Sequence, residues 1–170
     1  MTEGASRKLV GIVMGSESDE DRMRGSWEAL EEFDVGYEVS ILSAHRSPEM
    51  TRRYAAEAEA RGLRVLIAGA GAAAHLAGAL AAHTCLPVIG VPLASSSLGG
   101  LDALLATVQM PRGVPVGVVA IDNSYNAGLL AVQILAVSDD DLRERFTAFK
   151  QKLANNIWTR NKNPKINRAK

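Results

Sequence analysis

Five short apolar runs, each followed by a longer segment with helical periodicity, constrain this chain more than anything else in it. The runs are "KLVGIVM" (8–14), "YEVSIL" (37–42), "VLIAGA" (65–70), "PVIGV" (87–91) and "PVGVVAI" (115–121). Most are apolar at odd and even positions alike, as strands covered by helices on both faces should be. Between the first two, Met23, Trp27, Leu30 and Phe33 recur at spacings of four and three, one apolar stripe of a helix. Ser47 stands where it can cap the second helix, and Pro48 fits the first helical position, where a missing N–H costs nothing. Segments 73–83, 99–109 and 124–137 supply three more helices; the alanine- and leucine-rich 73–83 should pack on all sides. This βα repetition predicts an α/β fold, a three-layer αβα doubly wound parallel sheet.

From Ser138 onward, "SDDDLRERFTAFKQKLANNIW" predicts an extra C-terminal helix with Leu142, Phe146, Phe149, Leu153 and Ile157 on one stripe. Its acids come first and its bases later, which suits the helix dipole. Five strands and five helices already close a core over about 8–137, so the stripe is spare surface. A partner subunit is the expected cover, with packing on its own domain the plain alternative. The basic tail "NKNPKINRAK" is expected to be mobile or partner-bound. The 170 residues suit a single domain, 1–170, with helix and tail at about 138–170.

Charge and composition exclude several classes. Nineteen basic residues balance nineteen acidic ones, so no net field favours nucleic acid or an anionic membrane. No apolar run approaches ~18 residues, and the polar "MTEGASR" has no signal-like apolar core. The lone Cys85 cannot form an internal disulfide and is expected to be a buried, reduced thiol, which fits a cytoplasmic protein.

In such a sheet, ligands bind beyond the carboxyl ends of the strands. Three stretches fall there. After the first strand comes Gly15-Ser16-Glu17-Ser18-Asp19. Gly15 allows a close turn, a helix start favours an anion, and Ser16, Ser18 and Asp19 offer polar groups to a sugar phosphate. Helix capping by Ser18 or Asp19 is the plain alternative. No Gly-Lys-Ser/Thr follows, so this is not a P-loop. After the second strand comes Ser43-Ala44-His45-Arg46-Ser47-Pro48. Arg46 offers a planar fork for phosphate or carboxylate, and His45 a group that can pass a proton either way near neutral pH. The third stretch, "AGAGAAAHLAG" (68–78), is small enough to admit a ligand to the main chain and carries His75 near a helix start. Dense helix–sheet packing accounts for most of its alanines, but not for the imidazole. His83 has no Cys, His or acid at ligand spacing, so it reads as structural, and no metal is expected.

Together "GSESD", "SAHRSP", "AGAGAAAHLAG", "GVPLASSSLGGLDALL", "VQMPRGVPVGVVAI" and "NAGLLAVQIL" resemble the PurE family, in order from about residue 9 to 137. The family's bacterial class is N5-carboxyaminoimidazole ribonucleotide (N5-CAIR) mutase, an isomerase of de novo purine biosynthesis that forms 4-carboxy-5-aminoimidazole ribonucleotide (CAIR). The resemblance implies a flavodoxin-like domain, a homo-octamer with sites where subunits meet, a small ribonucleotide substrate, and neither metal nor organic cofactor. It implies that Ser16, Asp19 and Arg46 bind the ribonucleotide, with Ser18 and Ser43 helping at the phosphate. His45 would transfer the proton, and His75, Ala70 and Gly71 would line the carboxylate pocket. Arg46 and the intact "GAGAAAHL" run fit the mutase class, since direct carboxylases of the second class carry lysine after the histidine. The departures from the family pattern are Ala72 for a glycine, Ala77 for a proline, Ala103 for a serine, and a shortened "AIDNSYNAG" before helix five. Direct carboxylation of aminoimidazole ribonucleotide (AIR) by carbon dioxide is the alternative activity. A non-catalytic nucleotide-binding module is the alternative from a different class.

Overall fold

The apolar runs lie side by side and parallel in a five-stranded sheet. The computed structural model describes residues 8–161. The strands are β1 (Lys8–Met14), β2 (Gly36–Ile41), β3 (Val65–Gly71), β4 (Val88–Leu93) and β5 (Gly117–Val118), in the order β2-β1-β3-β4-β5. The helices are α1 (Glu20–Glu32), α2 (Pro48–Glu57), α3 (Leu76–Ala81), α4 (Leu101–Val108), α5 (Ser124–Leu135) and α6 (Asp140–Asn161). This is the flavodoxin-like strand order, with the connections diverging between β1 and β3. Among the described residues no helix is long and apolar enough to cross a membrane.

Alternation along β1 sends its side chains into two cores. Val10, Ile12 and Met14 join Met23 and Leu30 of α1, Ala131 of α5 and Phe146 of α6 on one face. Val13 joins Ala55 of α2 and Leu76 and Leu80 of α3 on the other. Helices on both faces complete the three expected layers. Small residues set the close approaches. A Cβ on Gly128 of α5 would come within 2.4 Å of the Ser26 carbonyl of α1, so a larger residue there would push the two helices apart.

The edges differ from expectation. β5 holds only Gly117–Val118 rather than 115–121, and pairs β4 through Ile89↔Gly117 and Gly90↔Val118. Pro115 has no N–H to donate, and Asp122 turns the chain with φ of 55°, so the ladder is cut at both ends. β2 is the other edge, and Val39 and Ile41 are exposed instead of covered. α3 is shorter than 73–83, and Gly78 and Ala79 stay half-buried, so it does not pack on all sides. Cys85 is exposed rather than buried, because it lies in the link between α3 and β4. Ser47 occupies the cap position of α2 without capping it, and Pro48 follows as expected. The Ser47 hydroxyl instead donates to the Ser43 carbonyl at 3.0 Å.

α6 divides its stripe. Leu142 and Phe146 are buried, and Phe33 meets the rings of Phe146 and Phe149 at 5.6 and 5.5 Å. Leu153 and Ile157 remain exposed. The first half packs on its own protomer, and the second half is uncovered. The tail beyond Asn161 and the leading "MTEGASR" lie outside the described residues.

Candidate active site

At the divergence between β1 and β3, the loops after the first four strands enclose a cavity of about 570 Å³. Ser16, Ser18, Asp19, Ser43, His45, Arg46, Ala70 and Gly71 all lie on its wall. His75 reaches it only through His45.

The loop after β1 is held by the sheet, where the Gly15 N–H donates to the Gly69 carbonyl at 3.2 Å. A short 3-10 turn over Glu17–Asp19 follows, capped by Ser16, whose Oγ accepts from the Ser18 N–H and hydroxyl at 3.4 and 3.0 Å. Asp19 precedes α1, but its carboxylate makes no cap hydrogen bond. It is only 7% exposed, and burial pushes its acid above the ordinary carboxylate range. The Ser16 N–H and the Arg22 charge offset part of that rise. Capping by Asp19, the plain alternative, is therefore not what its side chain does. Capping by serine falls to Ser16 rather than Ser18.

The loop after β2 is braced by its own side chains. Ser43 Oγ accepts from the Arg46 backbone N–H at 3.1 Å and from Arg46 Nε at 3.3 Å. Arg46 Nη2 donates to the Gly15 carbonyl at 3.0 Å, which ties this loop to the first. The guanidinium is thereby aimed by protein contacts while its other N–H groups stay available for an anion.

The third loop brings the second imidazole. His75 stands at the cap position of α3, after two tight turns in which Ala74 N–H donates to Ala72 O and His75 N–H to Ala73 O, at 2.8 and 2.9 Å. Ala72, the residue that departs from the family's glycine, has a left-handed φ of 50°. His75 Nδ1 then meets His45 Nε2 at 2.8 Å, with the rings edge to face. One proton fits between those nitrogens, because a second would set two N–H groups against each other. One ring therefore donates and the other accepts, which fixes the two rings relative to each other.

Some placements were not legible from the sequence. Ser95, from the loop after β4, is also on the cavity wall. The signal was present, since "SSS" (95–97) follows the carboxyl end of a strand as the other three loops do. His83 is exposed and off the cavity wall. Among the described residues no cluster of three or more His, Cys, Asp or Glu could hold a metal ion.

Comparison with known proteins gives a consistent picture. The chain is 53% identical over 145 residues to the N5-carboxyaminoimidazole ribonucleotide mutase of Pyrococcus horikoshii, covering 85% of this chain and 82% of that one. It is 53% identical over 154 residues to the protein of the same name from Mycobacterium tuberculosis, covering 91% and 88%. The crystal structure of Treponema denticola PurE superposes with a TM-score of 0.85 at 29% identity, over 95% of this chain and 100% of that one. The AIR carboxylase family model matches residues 9–156, and the chain belongs to that family, PurE.

Proposed function

We propose that the protein is an N5-CAIR mutase, an isomerase of purine biosynthesis that moves a carboxylate from the exocyclic amine of N5-CAIR to ring carbon C4, giving CAIR. The observation that supports this most strongly is the His45 imidazole, set on the cavity wall among anion-binding groups and hydrogen-bonded to His75 at 2.8 Å. A binder needs an anion site but no titrating group beside it.

The chemistry follows from what the reaction demands. His45 gives a proton to the carbamate nitrogen; the C–N bond breaks with its electrons going to nitrogen, and carbon dioxide forms. C4 attacks the carbon dioxide, and His45 takes the C4 proton, so the enzyme ends as it began. One imidazole serves both transfers. His75 keeps the ring oriented through the 2.8 Å hydrogen bond. Arg46 and the Ser16–Asp19 loop, with Ser18 and Ser43, hold the ribonucleotide at its phosphate and sugar. The small residues Ala70 and Gly71 let carbon dioxide lie close to the main chain and keep water out.

The protomer belongs to a cytoplasmic homo-octamer. Support comes from Leu98, Leu101, Leu105 and Val108, exposed by 64, 53, 45 and 49% at spacings of three, four and three on and before α4. Such a stripe in water calls for a partner.

The test supplies the purified protein with N5-CAIR in the absence of ATP and added bicarbonate. Rapid formation of CAIR is expected. Turnover only from AIR with high carbon dioxide would make it the direct carboxylase, and binding without turnover a non-catalytic module.

A further inference from the structure

β4 also ends at the cavity, and its loop carries a hydroxyl to which no role above is given. Ser95 lies on the wall, just past Leu93. A Cβ built on Gly71 would fall 1.6 Å from Ser95 Oγ, so the serine occupies the space that a side chain at Gly71 would need. That explains the glycine, and it sets the hydroxyl against the end of β3 beside Ala70 and Ala73. These neighbours offer no polar side chain, and Ser95 itself is exposed at the cavity wall.

The residue before Ser95 is clamped from both sides of its peptide. Arg22 Nη2 donates to the Ala94 carbonyl at 3.2 Å, and Asp122 Oδ1 accepts from the Ala94 N–H at 2.9 Å. The two clamping side chains face each other at 3.5 Å. Asp122 comes from the shortened segment before α5, and its left-handed backbone is fixed by its N–H on the Pro92 carbonyl at 2.9 Å. Arg22 and Asp122 therefore do for this loop what Ser43 and Arg46 do for the loop after β2.

We propose that Ser95 contacts the substrate by donating its hydroxyl to the migrating carboxylate, and that the Arg22–Asp122 pair positions it. This rests on the mutase reading. The charge of the group decides the argument. The migrating unit is an anion in substrate and product but neutral carbon dioxide between them. A cation at this point would bind the carbamate more tightly than carbon dioxide and so raise the barrier to its release. A neutral hydroxyl donor retains the unit in all three forms with a smaller bias. The division of labour then assigns the cationic Arg46, on the loop after β2 and separated from the β4 loop by β1 and β3, to the phosphate.

The experiment measures how N5-CAIR is partitioned between CAIR and leaked AIR plus carbon dioxide, with AIR binding measured in parallel. Ser95→Ala should raise the leaked fraction about fivefold or more, the equivalent of one hydrogen bond, while AIR binding stays within about twofold. Asp122→Ala should raise the leak with Ser95 still present, and Asp122→Asn, which keeps an acceptor for the Ala94 N–H, should restore most of the coupling. A folded Ser95→Ala variant with wild-type partition would overturn the proposal while leaving the mutase reading intact. A wild-type protein inert toward N5-CAIR would overturn both. If Asp122→Ala unfolds, Ser95→Ala alone decides.

Discussion

The carboxyl ends of the strands and the outer faces of α4 and α6 depart from what a lone protomer would select, in opposite ways. At the cavity, Asp19 is buried without a cap to make, Ala72 bends left-handed, and two imidazoles touch. Those choices give up stability, and the proposed chemistry would account for them. On α4 and the distal half of α6, Leu101, Leu105 and Ile157 face water at 53, 45 and 58% exposure. These choices give up protomer solubility, and the proposed assembly would account for them by covering them. The four loops that line the cavity come from one protomer, so their mutual placement can be followed from it; Leu101, Leu105 and Ile157 are not on the cavity wall. Substitutions at the cavity should therefore change rate without weakening the fold, and substitutions on the faces should change assembly without changing the fold.

The largest effect is expected at His45. His45→Asn keeps a polar side chain of similar reach that cannot titrate near neutral pH. Turnover should fall by about 10²–10⁴, the scale of a lost general acid–base group. His45 is exposed, so thermal unfolding should stay within a degree or so of wild type, on the order of what surface changes produce. Near-normal turnover would move the proton to His75. Loss of rate together with loss of fold would break the contrast between the regions.

Next is the face of α4. Replacing Leu101 and Leu105 together with lysine should remove about 1.5–3 kcal/mol of burial for each leucine covered in the assembly. Light scattering should then report a mass that falls toward the protomer, with the circular dichroism spectrum unchanged. An unaltered mass would mean that this stripe is not an interface.

The same contrast governs what the sequence disclosed. Strands and loops carry local signatures: one apolar run opens into glycine, serine and acid, the next into serine, histidine and arginine, and both loops lie on the cavity wall. What it concealed is long-range. His45 and His75 were both recognisable as chemical groups, but their hydrogen bond joins residues thirty apart and depends on the connection from β2 past β1 to β3. The Arg22–Asp122 clamp spans more sequence still, and no periodicity announces it. β5 was overdrawn because its apolar composition was legible and the interruption of its ladder was not. For α6 the plain alternative of packing on its own domain holds for the first half only, since Leu142 and Phe146 are buried while Leu153 and Ile157 stay exposed along the same stripe.

A smaller effect concerns Asp19 and separates binding from folding. Its acid is raised by burial, so the folded state prefers the protonated form. The sign follows directly. The favourable contribution is fully present below the ordinary carboxylate range and is lost as pH rises through the folded value. Asp19→Asn removes that loss, so the variant should gain stability relative to wild type as pH rises through the acid range and keep the gain at neutral pH. Ribonucleotide affinity should fall at the same time. Denaturant unfolding at acid and neutral pH, beside equilibrium binding, checks both signs. A stability difference that shrinks as pH rises would contradict the burial argument.

The smallest effect, at Ala72, tests whether the strain in the third loop serves the site. Three non-glycine residues have positive φ, and they are not equivalent. Asp34 follows α1 and Asp122 anchors the Ala94 clamp, and aspartate tolerates the left-handed region because its short side chain can bond locally. Ala72 has no such compensation, and its exposed methyl gains little from burial. The left-handed conformation costs alanine about 1–2 kcal/mol. Glycine would relieve that but would recover about 0.4–1 kcal/mol less on folding, because its unfolded chain is freer. Relief exceeds entropy, so Ala72→Gly should stabilise the protomer by a net amount of about 0.5–1 kcal/mol. The two tight turns that deliver His75 to His45 begin at this residue, so freeing it should also loosen the imidazole pair. Turnover should therefore fall modestly while the melting temperature rises. A variant that is more stable and equally fast would show that the strain is incidental; a less stable one would remove Ala72 from the features that the cavity holds against the fold.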